Sequence, residues 1–348
     1  MHENHTDAAE VRPVRLHGAA RLSDAVQRRR QRRGLKRGLV ATAVPYGGYG
    51  RAGTDGWIRI LGRVVLTRPA EQVRRPTTTQ TMRGWRSFTS IPAAHTSVRI
   101  LADGRSHTIE TDRGGVIDAV VPVSLSPGWN TITMETGAQA PVSFAVFLVD
   151  PAVRFGIISD VDDTVMVTAL PRPLVAAWNT FIRDEHARLP VPGMAVLLDR
   201  FARDHPGSPV IYLSTGAWNV APTLTRFLSR HLYPAGALLL TDWGPTQDNW
   251  FRSGSAHKKS NLARLAEEFP EIQWLLVGDD GQHDIAHYAE FAHNHPDRVF
   301  AVAIRQLSTS EAVLNGGRSS EQQGTETPWA FAPDGAGPLD ELRRVRPW

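Results

Sequence analysis

FGIISDVDDTVMV, Phe155–Val167, decides how this chain folds. An apolar run enters three acids, Asp160, Asp162 and Asp163, and then turns apolar again. Carboxylates grouped beside a buried strand are costly unless positive charge sits among them. The stretch therefore reads as a buried strand that ends in a site, rather than as an acidic surface turn. A calcium-loop reading fails. The sixth position counted from Asp160 is Val165, where glycine is needed, and the twelfth is Pro171, where glutamate is needed.

Working outward, the whole segment after Asp150 has one pattern. The apolar runs FGIIS, VIYLS, GALLL, IQWLLVG and VFAVAIR alternate with helical stretches such as VPGMAVLLDRFARDH, APTLTRFLSRHL, KSNLARLAEEF and IAHYAEFAHN. Apolar strands alternating with helices predict a parallel, Rossmann-like sheet covered on both faces. Such sheets bind ligands at the carboxyl ends of their strands. Three strand tips there are polar: Asp160 to Thr164, then Ser214, Thr215 and Gly216, then Asp279, Asp280 and Gly281 with Asp284 just beyond. His257, Lys258 and Lys259 are expected to open the helix before the last of these strands. The tips and the lysine pair would then converge on one sheet edge.

Before Asp150 the signals are β. WIRILGRVVL, SVRILADG, GGVIDAVVPV, WNTITMET and VSFAVFLV are short, rich in Val and Ile, and separated by turns such as Asp103-Gly104. They predict a small N-terminal antiparallel β-sandwich with no catalytic cluster. The chain divides into a basic arm over 1–45, the β domain over 46–150, the α/β domain over 151–307 and a loose tail over 308–348, the last rich in Gly, Ser, Pro and Glu.

Composition agrees with two ordinary domains. The chain has 348 residues, 41% hydrophobic and 21% charged, the balance of a soluble globular protein. No apolar run approaches the roughly 20 residues of a membrane span. There is no cysteine, which excludes disulfides and thiolate metal sites. The start, MHENHTDAAEVRPVR, lacks the apolar core of a secretory signal, so a cytoplasmic location is expected. Net charge is +4, carried mostly by Arg; Lys stands only at Lys36, Lys258 and Lys259. The run RRRQRRGLKR, Arg28–Arg37, reads as a solvated basic helix or as a contact for anionic lipid or nucleic acid. It fits peripheral contact with an anionic membrane, and no nucleic-acid partner is expected.

DVDDT, the strand-ending Ser214, Lys258 and GDDGQHD (Gly278–Asp284) resemble, in order and spacing, the motifs of the haloacid-dehalogenase-like (HAD-like) phosphatases. ISDVDDTV, the stretch HKKSNLARLAEEFPEIQWLLVGDDGQHD, and a preceding β domain with PYGGYG and GRV resemble the actin-patch-type phosphatidate phosphatases, distant relatives of lipins. That resemblance spans Tyr46 to about Arg305. It implies hydrolysis of phosphatidate to diacylglycerol and phosphate. A phosphatase for a soluble or protein phosphomonoester is the neighbouring reading, and a non-catalytic lipid-binding scaffold is the reading from another class.

The resemblance also implies roles. Asp160 is the nucleophile, since a carboxylate is ionised at neutral pH and forms an aspartyl-phosphate without a base. Mg²⁺ takes hard oxygen ligands and is held by Asp160 and Asp279, the backbone carbonyl of Asp162, and Asp284, which orients a bound water or Lys258. Asp162 is the general acid and then base. Ser214 hydrogen-bonds a phosphoryl oxygen, and Lys258, with Lys259 the alternative, neutralises charge. Thr215, Gly216 and His257 are expected to touch substrate. Asp280 stands where the family pattern has a small Ser. His283 and His287, at helical spacing, leave a zinc reading open, and Asp242 reads as a turn residue. PRPLVAAWNTFIRDEHARLPVPG, Pro171–Gly193, reads as a small helical cap, with Trp178, Phe181 and Ile182 either receiving acyl chains or packed as core.

Overall fold

The computed structural model describes residues 18–69, 91–137, 139–167, 188–241, 250–281, 283–308 and 327–345. Two sheets organise them. The first holds β1 (Val40–Arg51), β2 (Trp57–Thr67), β3 (Ile91–Pro92), β4 (Ser97–Ala102), β5 (Arg105–Glu110), β6 (Val116–Pro122), β7 (Gly128–Glu135) and β8 (Val142–Val149). Alternation builds its core. Val98, Ile100 and Ala102 of β4 point inward with Ile58, Ile60, Ile132, Met134 and Leu148. Asp103 and Gly104 both take positive φ, 52° and 65°, and close the β4–β5 hairpin as the Asp-Gly signal predicts.

The expected sandwich is present only in part. The strands form one continuous eight-stranded sheet, ordered β3-β2-β1-β8-β7-β4-β5 with β6 on β2, and it curls until β5 and β6 touch. A run of hairpins would give antiparallel neighbours throughout. Here β1 closes against the last strand, β8, and those two pair in parallel. Within the basic arm Gly18–Lys36 is a helix, α1, as the basic-helix reading of Arg28–Arg37 expects; it packs on β2 and β3, and the first strand begins at Val40.

The second sheet is parallel throughout: β9 (Phe155–Asp160), β10 (Val210–Ala217), β11 (Ala237–Thr241), β12 (Gln273–Asp279), β13 (Val299–Arg305) and β14 (Trp329–Ala332), in the order β11-β10-β9-β12-β13-β14. Helices α2 (Met194–Asp204), α3 (Ala221–Arg230), α4 (Trp250–Glu268), α5 (Asp284–Asn294) and α6 (Ala336–Val345) accompany it. Every residue of β9, β11 and β13 is buried, which is why these strands read as continuous apolar runs. The chain winds from β9 outward to β11, then returns to β12 and winds the other way. The switch point, where ligands bind in such sheets, therefore lies between β9 and β12.

The tail expected over 308–348 is not uniformly loose. Trp329–Ala332 adds a parallel edge strand to β13, and α6 packs on it through Leu342, which is fully buried. WAFA was hidden because four residues are too few to display a period within a polar segment. Pro171 to Ala187, which contains the expected cap residues Trp178, Phe181 and Ile182, lies outside the described residues, as does Asp242.

An ionic seam joins the two domains. Tyr49 Oη donates to Glu268 Oε2 at 2.7 Å, and Arg59 Nε to Glu268 Oε1 at 2.8 Å. Arg59 also pairs with Asp118, which accepts from Arg264 Nη1 at 2.9 Å. Arg51 grips Glu271 with both Nη atoms, at 2.9 and 3.1 Å. Farther along β1, Tyr46 stacks on Trp218, with ring centroids 4.7 Å apart and planes 7° from parallel.

Candidate active site

The carboxyl edge of the second sheet collects the predicted tips. Asp160 ends β9, Asp279 ends its neighbour β12, and Ser214 lies near the end of β10 on the other flank. Beyond Asp160 the chain doubles back. Met166 N–H and Val165 N–H both donate to Val161 O, and Asp163 N–H donates to Met166 O. The turn needs a left-handed residue, and Asp163 supplies it at φ 57°, a region that Asp tolerates better than most residues. This turn carries Asp162 back over the strand end.

Lys258 reaches the same place from α4. Its Nζ donates to Asp160 Oδ1 at 2.6 Å and to Asp284 Oδ1 at 2.5 Å. Lys259, one residue on, points to the surface and pairs with Glu290, so the structure separates the two lysines. Both were expected to open a helix. They lie in its middle instead, because α4 begins at Trp250 and runs through Gly254 and Ser255, poor helix formers that mask its start.

Asp160, Asp279 and Asp284 place one oxygen each within 4.8 Å of one another. Two glycines make that approach possible. A Cβ at Gly278 would lie 2.8 Å from Asp284 Oδ2, and one at Gly281 would lie 2.4 Å from Asp279 Oδ1. In return, Gly281 N–H donates to Asp279 Oδ1 at 2.7 Å. Three hard carboxylate oxygens at this spacing suit a divalent cation of the Mg²⁺ type.

The electrostatics agree. Burial pushes Asp160 well above the usual carboxylate range, and the charges of Asp284 and Asp162 push it further, against Lys258. Asp279 is raised for the same reasons, burial first and then Asp284 and Asp160. Burial works to neutralise Lys258, but Asp160 and Asp284 outweigh it and hold the ammonium firmly charged. Four carboxylates thus compete for one ammonium, and the site has room in charge for a cation. Asp162 is pushed up to about 6 by burial and by Asp163, with Ser214, Lys258 and Arg188 pulling the other way.

Ser214 was expected to face a phosphoryl oxygen. Its hydroxyl donates to Asp162 Oδ2 at 3.0 Å and accepts from Gly216 N–H at 2.9 Å. The pairing register of β10 with β11 shifts between Leu213 and Ala217, and at that irregularity the carbonyls of Thr215 and Gly216 both accept from Thr241 Oγ1. The structure does not bring His257 to the carboxylates. It lies against Leu239 O, 3.5 Å away, and Asn261, and burial lowers its pKa to about 4. Asp280 is structural, accepting Leu307 N–H at 2.7 Å. His287 bonds Ser255 Oγ at 2.8 Å, and among the described residues the only cluster suited to a metal is the carboxylate one.

Two arginines escaped the sequence reading. Arg305 ends β13 and donates to Asp163 O at 2.7 Å, bracing the turn; a cation closing an otherwise apolar strand was the available signal. Arg188 is buried, donates to Val167 O at 3.2 Å and acts electrostatically on Asp162 and Asp163. No local pattern distinguished it.

Residues 155–306 match the family described as "Phosphatidate phosphatase APP1, catalytic domain". The chain is similar to Phosphatidate phosphatase APP1 of Saccharomyces cerevisiae, with 26% identity over 219 residues, covering 61% of this chain and 37% of that protein. It is also similar to an uncharacterized protein of Schizosaccharomyces pombe, with 27% identity over 154 residues, covering 43% of this chain and 25% of that one. The matched region is thus well under half the length of either relative. Among solved structures, the HAD domain of the effector protein Lem4 from Legionella pneumophila aligns with TM-score 0.30 and 14% identity, covering 45% of this chain and 87% of that domain, a likeness too slight to bear on function. Residues 155–306, most of the α/β domain, are thus similar to the APP1-type catalytic family.

Proposed function

We propose, with that family match as the premise, that the chain is a phosphatidate phosphatase, releasing diacylglycerol and inorganic phosphate. The observation that carries the reading is the Asp160–Lys258–Asp284 contact at the switch point, with Asp279 beside it and Asp162 turned back over it. The same site supports hydrolysis of phosphomonoesters generally. The family match favours the lipid substrate.

Asp160, Asp279 and Asp284 would hold Mg²⁺, which supplies positive charge against the phosphoryl oxygens. The protein's own groups do the rest. Lys258 holds Asp160 Oδ1, which leaves Oδ2 as the attacking oxygen. A bond forms from that oxygen to phosphorus, and the ester P–O bond breaks. Asp162, held by Ser214 and raised to about 6, gives its proton to the departing alkoxide. It then takes a proton from the water that cleaves the aspartyl-phosphate, which restores Asp160 and frees phosphate. No described helix is long and apolar enough to cross a membrane, and the reading is of a protein that works on lipid from the cytoplasmic side without spanning it.

Phosphate release from phosphatidate in mixed micelles and from p-nitrophenyl phosphate, each with Mg²⁺ and with chelator, tests this. Metal-dependent release from phosphatidate is the expected result. Release from the soluble ester alone would move the substrate class to soluble phosphates, and no release from either would leave a non-catalytic fold.

A further inference from the structure

We propose that the outer face of α1 is a docking surface for an anionic lipid bilayer, and that it looks the same way as the active site. The purpose of this surface rests on the phosphatidate reading; its evidence does not.

The helix is fastened by its neutral stripe. Gln27 donates to Arg113 O, Gln31 Nε2 donates to Ala94 O at 3.0 Å while its Oε1 accepts Ala94 N–H at 3.2 Å, and Gly34 is buried. A Cβ at Gly34 would lie 2.9 Å from Leu66, so only glycine lets the helix sit this close. These residues are spaced i, i+4, i+7 and occupy one face. Arg29, Arg32, Arg33 and Lys36, spaced i, i+3, i+4, i+7, occupy the opposite face, and all four are exposed. Arg28, Arg30 and Arg37 extend the charge, and among the described residues no carboxylate pairs with any of these seven cations. A helix anchored by glutamines and a glycine, with a cationic stripe on the opposite face, is oriented rather than merely solvated.

Its direction follows from β1. Tyr46 stacks on Trp218, just past the carboxyl end of β10, while Tyr49 and Arg51 bond Glu268 and Glu271, just before the amino end of β12. β1 therefore runs from the carboxyl edge of the second sheet toward its amino edge. Leu66, under Gly34, pairs with Ala41, five residues upstream of Tyr46. At about 3.3 Å per residue, α1 docks on the order of 17 Å beyond Tyr46, on the side toward which Asp160 and Asp279 point.

The chemistry favours a bilayer over a nucleic acid. Val26 and Leu35, 51% and 50% exposed, flank the cationic stripe on either side. A membrane interface accepts both the charges and the apolar side chains, whereas a phosphate backbone rewards only the charges. Leu189, five residues before α2, and Val196, in its first turn, are 68% and 65% exposed, and α2 begins at the same carboxyl edge. Docking through α1 would bring these residues and the site to the lipid surface together.

The test is co-sedimentation with vesicles of phosphatidylcholine alone or mixed with phosphatidylserine. Wild-type protein should bind only the anionic vesicles and release at high salt. Combined Arg29→Gln, Arg32→Gln, Arg33→Gln and Lys36→Gln changes should weaken binding by at least about tenfold. The matching Arg→Lys changes at 29, 32 and 33 should retain it, which separates lost charge from lost fold. Turnover of p-nitrophenyl phosphate should stay the same in both variants, while turnover of phosphatidate in vesicles should fall only in the glutamine variant. Equal vesicle binding by wild type and glutamine variant would overturn the proposal, as would binding to duplex DNA in place of vesicles. Absence of any phosphatase activity would sink the phosphatidate reading and leave the sedimentation result standing.

Discussion

Two clusters of charge lie along α4, a buried one around Lys258 in its middle and a half-exposed one around Arg264 and Glu268 at its end, and they are built on opposite plans. At the seam, three guanidinium groups, Arg51, Arg59 and Arg264, face three carboxylates, Glu271, Glu268 and Asp118. Each charge has its partner, and nothing further is needed. At the sheet edge, Asp160, Asp162, Asp279 and Asp284 crowd around the single ammonium of Lys258, and burial raises Asp160 and Asp279 far from their ordinary range. A balanced cluster holds domains together; an unbalanced one holds its energy in reserve for a ligand. The contrast in balance is a better guide to function than charge alone, since both clusters carry several charges.

The largest effect that would break this comparison is on chemistry. Asp160→Asn keeps the shape of the site and removes the nucleophile, so phosphate release should fall by about 10⁴-fold or more. The folded state should be no less stable, because an excess buried charge has gone. Unchanged turnover would mean that the wrong carboxylate has been assigned. Next comes the cation. Mg²⁺ at about 100 times its dissociation constant should stabilise the protein by roughly 2.7 kcal/mol, seen as a raised Tm, and Asp279→Asn should remove most of the shift. If the Tm of wild type does not respond to Mg²⁺ or Mn²⁺, the sheet-edge cluster is not the metal site that its spacing suggests.

The seam should respond in the reverse sense. Arg59→Met leaves Glu268 and Asp118 without their shared cation. Its side chain is 16% exposed and that of Asp118 40%, so the loss falls short of the value for a fully buried pair, at about 2 kcal/mol. The metal-induced shift in Tm should survive this change, and turnover of a soluble ester at 25 °C should change little. Loss of the metal response in Arg59→Met would show that the two clusters are one coupled system and would dissolve the distinction drawn above.

The reserved cluster was far more legible in the sequence than the balanced one. Asp160, Ser214 and Asp279 each follow a continuous apolar run, and a parallel sheet must bring such tips to a common edge. Lys258 stood out because lysine is scarce in this chain. The seam gave no sign. Tyr49, Arg59 and Asp118 lie on strands whose alternation merely marks them as outward-facing, and their partners on α4 are far away in sequence, at separations of 219 and 209 for the Glu268 bonds and 146 for Asp118 with Arg264. The parallel pairing of β1 with β8 was equally hidden, since local pattern does not specify which strands become neighbours. Arg188 was lost for a third reason: its meaning lies entirely in what surrounds it, the carboxylates of Asp162 and Asp163.

His257 stands on α4 next to Lys258 in sequence and is bonded to Asn261, which also accepts from Arg264 of the seam. The sequence suggested a phosphate contact; the structure gives it Leu239 O and a neutral ring with a pKa near 4, depressed chiefly by burial. The sign of the consequence is fixed. The unfolded chain takes up a proton at about 6.5 and the folded one does not until about 4, so stability present above pH 6.5 is lost as pH falls. Between pH 7 and 5.5 the loss from this residue is about 1 kcal/mol. His257→Gln should therefore flatten the acid side of the Tm-versus-pH curve over that interval, with KM for p-nitrophenyl phosphate almost unmoved. An unchanged acid slope together with a markedly raised KM would return His257 to the substrate, and with it would extend the reserved cluster by one residue of the helix, the one that Asn261 links to Arg264.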